Sequence, residues 1–318
     1  MLNEIIGHQN IKDILLKKLS GDPSGTYLFY GPPSVGKRTL AFEMAKMILC
    51  ENRDEGCTCQ SCKIFSKGHP DFMCVGRTEK IKVEDIDRIL NFVSLTPFMS
   101  DHKVAVLDNA HNITLEASNR LLKALEEPPP RFAFFLVTAE PQGLLKTILS
   151  RCIQYEFQAL SREDVTNILW KKMSYELPQA RVLGWLASDV SADIFAKAGH
   201  FLKYRDMAFT FVSEFKRKRL IDSLDFVDKV EREDLSIFID MIVLLLTDML
   251  LLKCSIKDII NADLGEALRK VHEDVTYKAL IWAVSNLSQV KRFEYLNINL
   301  NLALKNILLK TYPIFILS

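Results

Sequence analysis

Residues 26–39 read TYLFYGPPSVGKRT, and the fold turns on this stretch. Residues 26–30 suit a short apolar strand. Gly31 and Gly36 bracket a turn with two prolines, and a helical pattern runs from about residue 39 to 49. Strand, glycine-bearing loop and helix in that order make a phosphate-binding loop. Backbone N–H groups in such a loop converge on an anion, the helix N-terminus adds positive potential, and Lys37 supplies a point charge. A tight glycine turn without a ligand is the competing reading.

Two positions depart from what nucleotide hydrolysis requires. The residue after the lysine, whose hydroxyl would ligate Mg²⁺, is Arg38, and Thr39 comes one place later. One helical step turns a side chain by about 100°, so Thr39 does not replace that hydroxyl. Further on, the strand pattern KVAVLD at 103–108 ends in Asp108, a natural carboxylate partner for a metal. Its successor is Asn109, and a neutral amide cannot activate water as a base. The expectation is a phosphate-loop fold that does not hydrolyse.

Outward from the loop, apolar runs at 72–76, 132–138 and 152–157 join those at 26–30 and 103–108. They alternate with helical patterns at 83–93 and 114–127, the latter stopped by Pro128, Pro129 and Pro130. Alternation of this kind predicts an α/β domain with a parallel sheet. Past about residue 159 no strand run follows. Ser161, with Asp164 three residues on, reads as a helix N-cap. A small helical unit, a basic run (Lys216, Arg217, Lys218, Arg219) and helical periodicity to the end complete the chain. The predicted domains are 1–158 (α/β), 159–212 (small, helical) and 213–318 (all-α).

The chain has 318 residues, with 41 Lys+Arg against 40 Asp+Glu and 48% hydrophobic residues. These values exclude a disordered chain and a uniformly basic nucleic-acid coat. The most apolar stretch, 237–252, carries Asp240 and Asp248 with only seven residues between them. Crossing a bilayer takes about 20 residues, so a buried helix and no membrane association are expected. Residues 1–10 lack a basic region followed by an apolar run and so do not read as a signal peptide. Cytoplasm is the expected compartment.

Four of the seven cysteines, Cys50, Cys57, Cys59 and Cys62, are spaced C-x6-C-x-C-x2-C. Four thiolates suit a tetrahedral Zn²⁺, with a structural role because no coordination position stays open. Free thiols are the alternative. Cys74 and Cys254 are expected to be buried, and His102 and His111 to be surface or satisfied residues. His69 lies near the cluster but is not needed as a ligand.

Taken in order, several motifs resemble the clamp-loader AAA+ family of bacterial DNA polymerase III. They are Ile6-Gly7-His8-Gln9, GPPSVGKRTLA from Gly31, Ser94-Leu95-Thr96-Pro97-Phe98, KVAVLDNAH from Lys103, NRLLKALEEPP from Asn119 and Leu149-Ser150-Arg151-Cys152. A weaker match is Asn297-Ile298-Asn299 with Leu302-Ala303-Leu304. The resemblance implies a P-loop AAA+ domain, a helical lid and an all-α collar in which subunits pack as a ring. It implies a four-cysteine zinc module after the phosphate-loop helix, although Cys57-Thr58-Cys59 is one residue tighter than the family spacing. It also implies that Arg151, by itself readable as a surface ion-pair partner, reaches the γ-phosphate of a neighbouring subunit's ATP. Thr138 falls at a nucleotide-sensing position, or simply caps local backbone, and a second sensor would lie near residues 198–200 and Arg205. The implied partners are gamma/tau and delta clamp-loader subunits, a sliding clamp and primer-template DNA. Combined with Arg38 and Asn109, the resemblance implies a scaffold subunit in which ATP binding stays open. The alternatives are an active gamma/tau-type ATPase and a stand-alone DNA-binding or repair protein.

Overall fold

Strands whose both faces are covered by helices carry near-continuous apolar runs, and these runs build the centre of the first half of the chain. A computed structural model describes residues 5–53, 56–76, 80–126, 129–187, 194–273, 275–294 and 299–316. The expected helix stop at Glu127 and Pro128, and the Asn297-Ile298 part of the last motif, lie outside the described residues. The chain forms two compact units, Met1–Leu160 and Ser161–Ser318.

In the first unit the elements are α1 (Gln9–Leu19), β1 (Gly25–Tyr30), α2 (Lys37–Leu49), α3 (Gln60–Gly68), β2 (Phe72–Val75) and α4 (Val83–Ser94). They continue with β3 (Lys103–Leu107), α5 (Leu115–Glu126), β4 (Phe132–Thr138), α6 (Lys146–Leu149) and β5 (Ile153–Glu156). The strands pair in the order β2-β3-β4-β1-β5, all in parallel, with Leu28 opposite Leu136 and Ala105 opposite Phe134. Alternate strand residues feed two cores. Tyr27, Phe29, Val106 and Phe135 pack with Leu15, Leu40 and Met44 of α1 and α2. Leu28, Leu107, Phe134 and Leu136 pack on the other face with Ile86, Ile89 and Leu121 of α4 and α5. Burying each such side chain contributes about 1.5–3 kcal/mol, so the sheet outweighs any single loop preference.

This topology positions the phosphate loop. β1 lies between β4 and β5, so the crevice at its carboxyl end falls where the strand order reverses, the usual ligand position in an open α/β sheet. Gly31 leaves β1 at φ 137°, and a Cβ there would sit 2.1 Å from the carbonyl oxygen of Phe157. Only glycine lets the loop leave the strand this close to the chain after β5.

The second unit is helical: α7 (Arg162–Met173), α8 (Leu177–Leu186), α9 (Ala198–Glu214), α10 (Leu220–Asp228), α11 (Leu235–Lys253), α12 (Gly265–His272), α13 (Tyr277–Glu294) and α14 (Leu300–Ile316). Ser161 caps α7, accepting from the Asp164 N–H at 3.1 Å, while Asp164 accepts in return from Ser161. A reciprocal cap of this kind is worth about 1 kcal/mol. α11 belongs to the segment Arg232–Lys253, which is long and apolar enough to cross a membrane by composition, yet it is largely buried here and carries two buried acids. Asp248 accepts hydrogen bonds from the Ile260 N–H (3.0 Å), the Asn261 N–H (2.9 Å) and the Asn261 side-chain amide (2.7 Å).

Arg205 is 4% exposed and donates to Asn261 (2.7 Å) and Asp263 (2.5 Å); its guanidinium is committed to the core. Cys254, expected to be buried, is exposed where α11 ends. α14 runs to Ile316 with Pro313 inside it. Phe315, packed on Phe215 at 5.5 Å between ring centroids, anchors its last turns. The boundary expected at 212/213 falls inside α9, whose Phe211 packs on Phe238 of α11 at 5.8 Å. In the basic run, Lys218 pairs with Glu214 and Arg219 with Asp222 at the surface.

Candidate functional site

The phosphate loop meets α2 at Gly36, which has φ 94° and puts no side chain over the first turn. The leading N–H groups of a helix have no partner within it, so this turn presents donors and positive potential to an anion. A cleft of about 400 Å³ opens beside it, lined by Ser34, Gly36, Lys37, Arg38, Thr39, Asp108, Asn109 and Thr138 among others. Of the nucleotide-site residues expected from the sequence, Gly31 is not part of this lining, and its role is to shape the turn. Its carbonyl oxygen, and that of Pro32, accept hydrogen bonds from the Lys37 ammonium, the first at 2.7 Å. Burial brings the Lys37 ammonium down to about 8, with the nearby Asp108 carboxylate acting against it.

Arg38 follows the loop lysine and pairs with Asp108. Its Nε lies 3.1 Å from Oδ2 of Asp108, and its guanidinium lies over the Phe42 ring at 4.9 Å. The Asp108 side chain is 10% exposed against 43% for Arg38, so the carboxylate is fixed and the cation faces solvent. Asp108 is held at the end of β3 by its own N–H, which donates to Val75 O at 2.8 Å, and its Oδ1 accepts from the Asn109 N–H at 3.0 Å. Thr138 ends β4 and accepts from the Glu140 N–H at 3.0 Å, with Nδ1 of His111 also 3.0 Å from its hydroxyl. The hydroxyl therefore does cap local backbone, at the wall of the cleft. His8, without an assigned role in the sequence, approaches Val35 O at 2.8 Å and braces the loop from the N-terminal side.

Arg151 lies apart from the cleft lining, between α6 and β5. It donates to Thr147 O at 2.9 Å and to Glu126 at 2.8 Å, with its side chain 34% exposed. Glu126 closes α5 within the LEEPP motif, so two separate family-like motifs meet here.

At the far end of α2 the four cysteines converge. Cys50 follows the helix, Cys59 caps α3 and Cys62 lies in its first turn. All four Sγ atoms lie within 4.8 Å of one another. Tetrahedral Zn–S bonds of about 2.3 Å set the sulfurs about 3.8 Å apart, and Cys50 and Cys59 are already 4.0 Å apart. The short Cys57-Thr58-Cys59 gap does not prevent convergence. Cys57 Sγ accepts from the Asn52 amide and the Cys59 N–H, each at 3.4 Å. Burial pushes the Cys59 thiol up, but the backbone N–H groups of Cys62 and Glu51 outweigh it and bring it down to about 7. The cluster fits a metal ion.

One organising residue gave no sequence signal. Asp71 is fully buried and accepts from the N–H groups of Phe98 (2.7 Å), Met99 (2.7 Å) and Ser100 (3.0 Å). It holds the turn before β3 and leaves Phe98 81% exposed. His102 corrects an expectation: it is buried, with Nε2 3.5 Å from Asp22 and Nδ1 without a partner.

Parallel strands ordered β2-β3-β4-β1-β5, with a phosphate loop at the carboxyl end of the fourth, define a P-loop AAA+ domain followed by a helical region. Two family models match the chain, "DNA polymerase III, delta subunit" over residues 7–161 and "DNA polymerase III, delta subunit, C terminal" over residues 200–311. The chain belongs to the clamp-loader subunit family of DNA polymerase III. It is 36% identical over 171 residues to DNA polymerase III subunit gamma of Buchnera aphidicola from Schizaphis graminum, covering 52% of this chain and 47% of that protein. It is 36% identical over 135 residues to the delta' subunit of Pseudomonas aeruginosa, covering 40% and 41%. The chain spans less than half the length of either relative. A gamma subunit-related protein of Thermotoga maritima aligns over 95% of this chain and 99% of its own, at 18% identity and a TM-score of 0.40.

Proposed function

We propose that the chain is a delta-prime-type scaffold subunit of the clamp loader, which joins gamma/tau and delta subunits and helps place a sliding clamp on primed DNA in the cytoplasm without hydrolysing ATP itself. The observation that carries this reading is the guanidinium of Arg38 lying on Asp108, where a hydrolytic site needs a metal ion. Asn109 supports it, since the adjacent position has no carboxylate to activate water.

In this reading Arg151 is offered to a neighbouring ATPase subunit. A guanidinium stays charged and presents a planar fork of donors to phosphate oxygens. Its present partner Glu126 is 53% exposed, so the pair can be exchanged at little cost, as exposed ion pairs are generally worth under 1 kcal/mol. Residues 159–212 would act as the lid and 213–318 as the collar, the two joined through α9, which spans that boundary, with α11 and α14 supplying apolar packing. Thr138 would sense nucleotide at the cleft wall, and the cysteine cluster would hold a structural Zn²⁺.

ATP turnover tests the proposal. The chain alone should be inactive, and a mixture with gamma/tau, delta, clamp and primed DNA should turn over ATP. Arg151→Ala should lower turnover of the mixture, with the loss at the one site it serves on the roughly 10³-fold scale of arginines supplied in trans, and the thermal unfolding of this chain should be unchanged. Mg²⁺-dependent turnover by the chain alone would instead favour a gamma/tau-type ATPase, a reading that the 36% identity to a gamma subunit keeps in view.

A further inference from the structure

The cleft keeps what holds a polyphosphate and has replaced what holds its metal. The uncapped first turn of α2 and the open volume of about 400 Å³ beside it are present, and the Lys37 ammonium stands at the loop, donating to the Gly31 and Pro32 carbonyl oxygens. The metal's place is different. In a hydrolytic phosphate-loop site the magnesium ion bound with nucleotide is held by the hydroxyl that follows the lysine and by a carboxylate at a strand end. The hydroxyl position here is Arg38, and the carboxylate, Asp108, already faces that arginine at 3.1 Å.

The arrangement is a supported one. Phe42 lies under the guanidinium at 4.9 Å, which adds a cation–π contact and fixes the plane of the group. An arginine keeps its charge throughout the physiological range and carries five N–H donors. Asp108 meets the group through Nε, and the side chain, 43% exposed, lines the cleft. It can thus keep Asp108 neutralised and still donate to an incoming phosphate. Admitting Mg²⁺ at Asp108 would require breaking this pair and would set the guanidinium beside a divalent cation that repels it.

We infer that this cleft binds a nucleoside polyphosphate without a divalent cation, Arg38 serving in the metal's place. The inference rests on the non-hydrolytic reading of the loop and adds to it a ligand class and a mode of charge neutralisation. It assigns Arg38 a binding role instead of treating it as a mere loss of function.

The test is equilibrium binding of ADP and of ATP to the full chain by calorimetry. One set of titrations contains excess Mg²⁺, and the other uses buffer freed of divalent cations by chelating resin before the protein is added. The parent chain should bind with affinities equal within about twofold in the two buffers, a difference under 0.5 kcal/mol. Arg38→Thr, which restores the hydroxyl, should bind about tenfold or more weakly without Mg²⁺ and recover with it. Arg38→Lys keeps a cation and should remain insensitive to Mg²⁺, so it serves if the threonine variant fails to fold. No binding by the folded parent in either buffer would overturn the inference, as would parent binding that falls tenfold when Mg²⁺ is withheld. The scaffold reading is judged separately, by turnover of the assembled complex with and without Arg151→Ala.

Discussion

The two ends of α2 treat cations in opposite ways. At its N-terminus the chain supplies its own cation, with Arg38 set on Asp108 and Lys37 folded back onto Gly31 and Pro32. At its C-terminus four sulfurs come within 4.8 Å of one another, and no chain cation is bonded to any of them among the described residues. Polar groups taken from water need a partner, and the two ends meet that need differently. The cleft is internally neutralised and holds its shape unaided. The cysteine cluster has only weak contacts to its sulfurs and, in the proposed reading, would gain its cross-link from a metal. On that reading one fold would set a side chain in place of the ion at one site and keep an ion at the other.

The contrast is broken or upheld most strongly by removing metal. The purified chain should contain one Zn²⁺, measured by elemental analysis. Stripping it with a strong chelator under reducing conditions should cost several kcal/mol, because metal affinity in such modules becomes folding energy. For a unit of about 160 residues each kcal/mol shifts the melting midpoint by roughly 2–4 °C, so a fall of about 10 °C or more is expected. Cys62→Ser should lower both metal content and midpoint. A protein without metal, or a midpoint untouched by stripping, would make the four thiols ordinary free cysteines and remove one side of the comparison.

Breaking the ion pair at the cleft should have a smaller effect. Asp108→Ala leaves Arg38 without its counter-charge and should destabilise the chain by about 1 kcal/mol, since the arginine stays partly solvated. Urea unfolding of Asp108→Ala, Arg38→Ala and the double variant gives the coupling, expected to be favourable by about 1 kcal/mol. A carboxylate waiting for a metal would show the opposite, because removing it would relieve an unpaired charge in the empty site.

Much of this was legible before any coordinates. The parallel sheet followed from apolar runs alternating with helical patterns. Lys37, Arg38, Asp108 and Asn109 declared themselves by their place in a strand–loop–helix motif and at a strand end. Long-range pairing was hidden, because it depends on which strands become neighbours. Arg38 meets Asp108 only because the ends of β1 and β3 lie on one side of the sheet, and Arg151 meets Glu126 only because α5 ends beside the chain after α6. Sequence distance says nothing of either. α1 and α3 carry little signal in the sequence because each is short and only partly apolar, and their apolar residues gain value only against the sheet. Buried polar residues were the hardest. Asp71, Asp248 and Arg205 resemble surface residues in composition and are interior solely because backbone N–H groups or side-chain partners reach them.

The smallest effect sharpens the cleft side alone. Lys37 sits with its ammonium near 8 instead of 10.5 because burial disfavours the charge, with Asp108 opposing. Between those values the unfolded chain binds more protons than the folded one, so this group's share of stability rises with pH through that window. Anion binding runs the other way, because the ammonium that meets the phosphate is discharged as pH climbs past 8. ADP affinity should fall by about threefold to tenfold between pH 7 and pH 9, as expected for one titrating charge. Arg38 stays charged over this range and should hold the remaining affinity. Calorimetric titrations at the two pH values, repeated for Lys37→Met, check this, and the pH slope should vanish in the variant. A slope that survives the substitution would place the titrating charge elsewhere and remove Lys37 from phosphate binding.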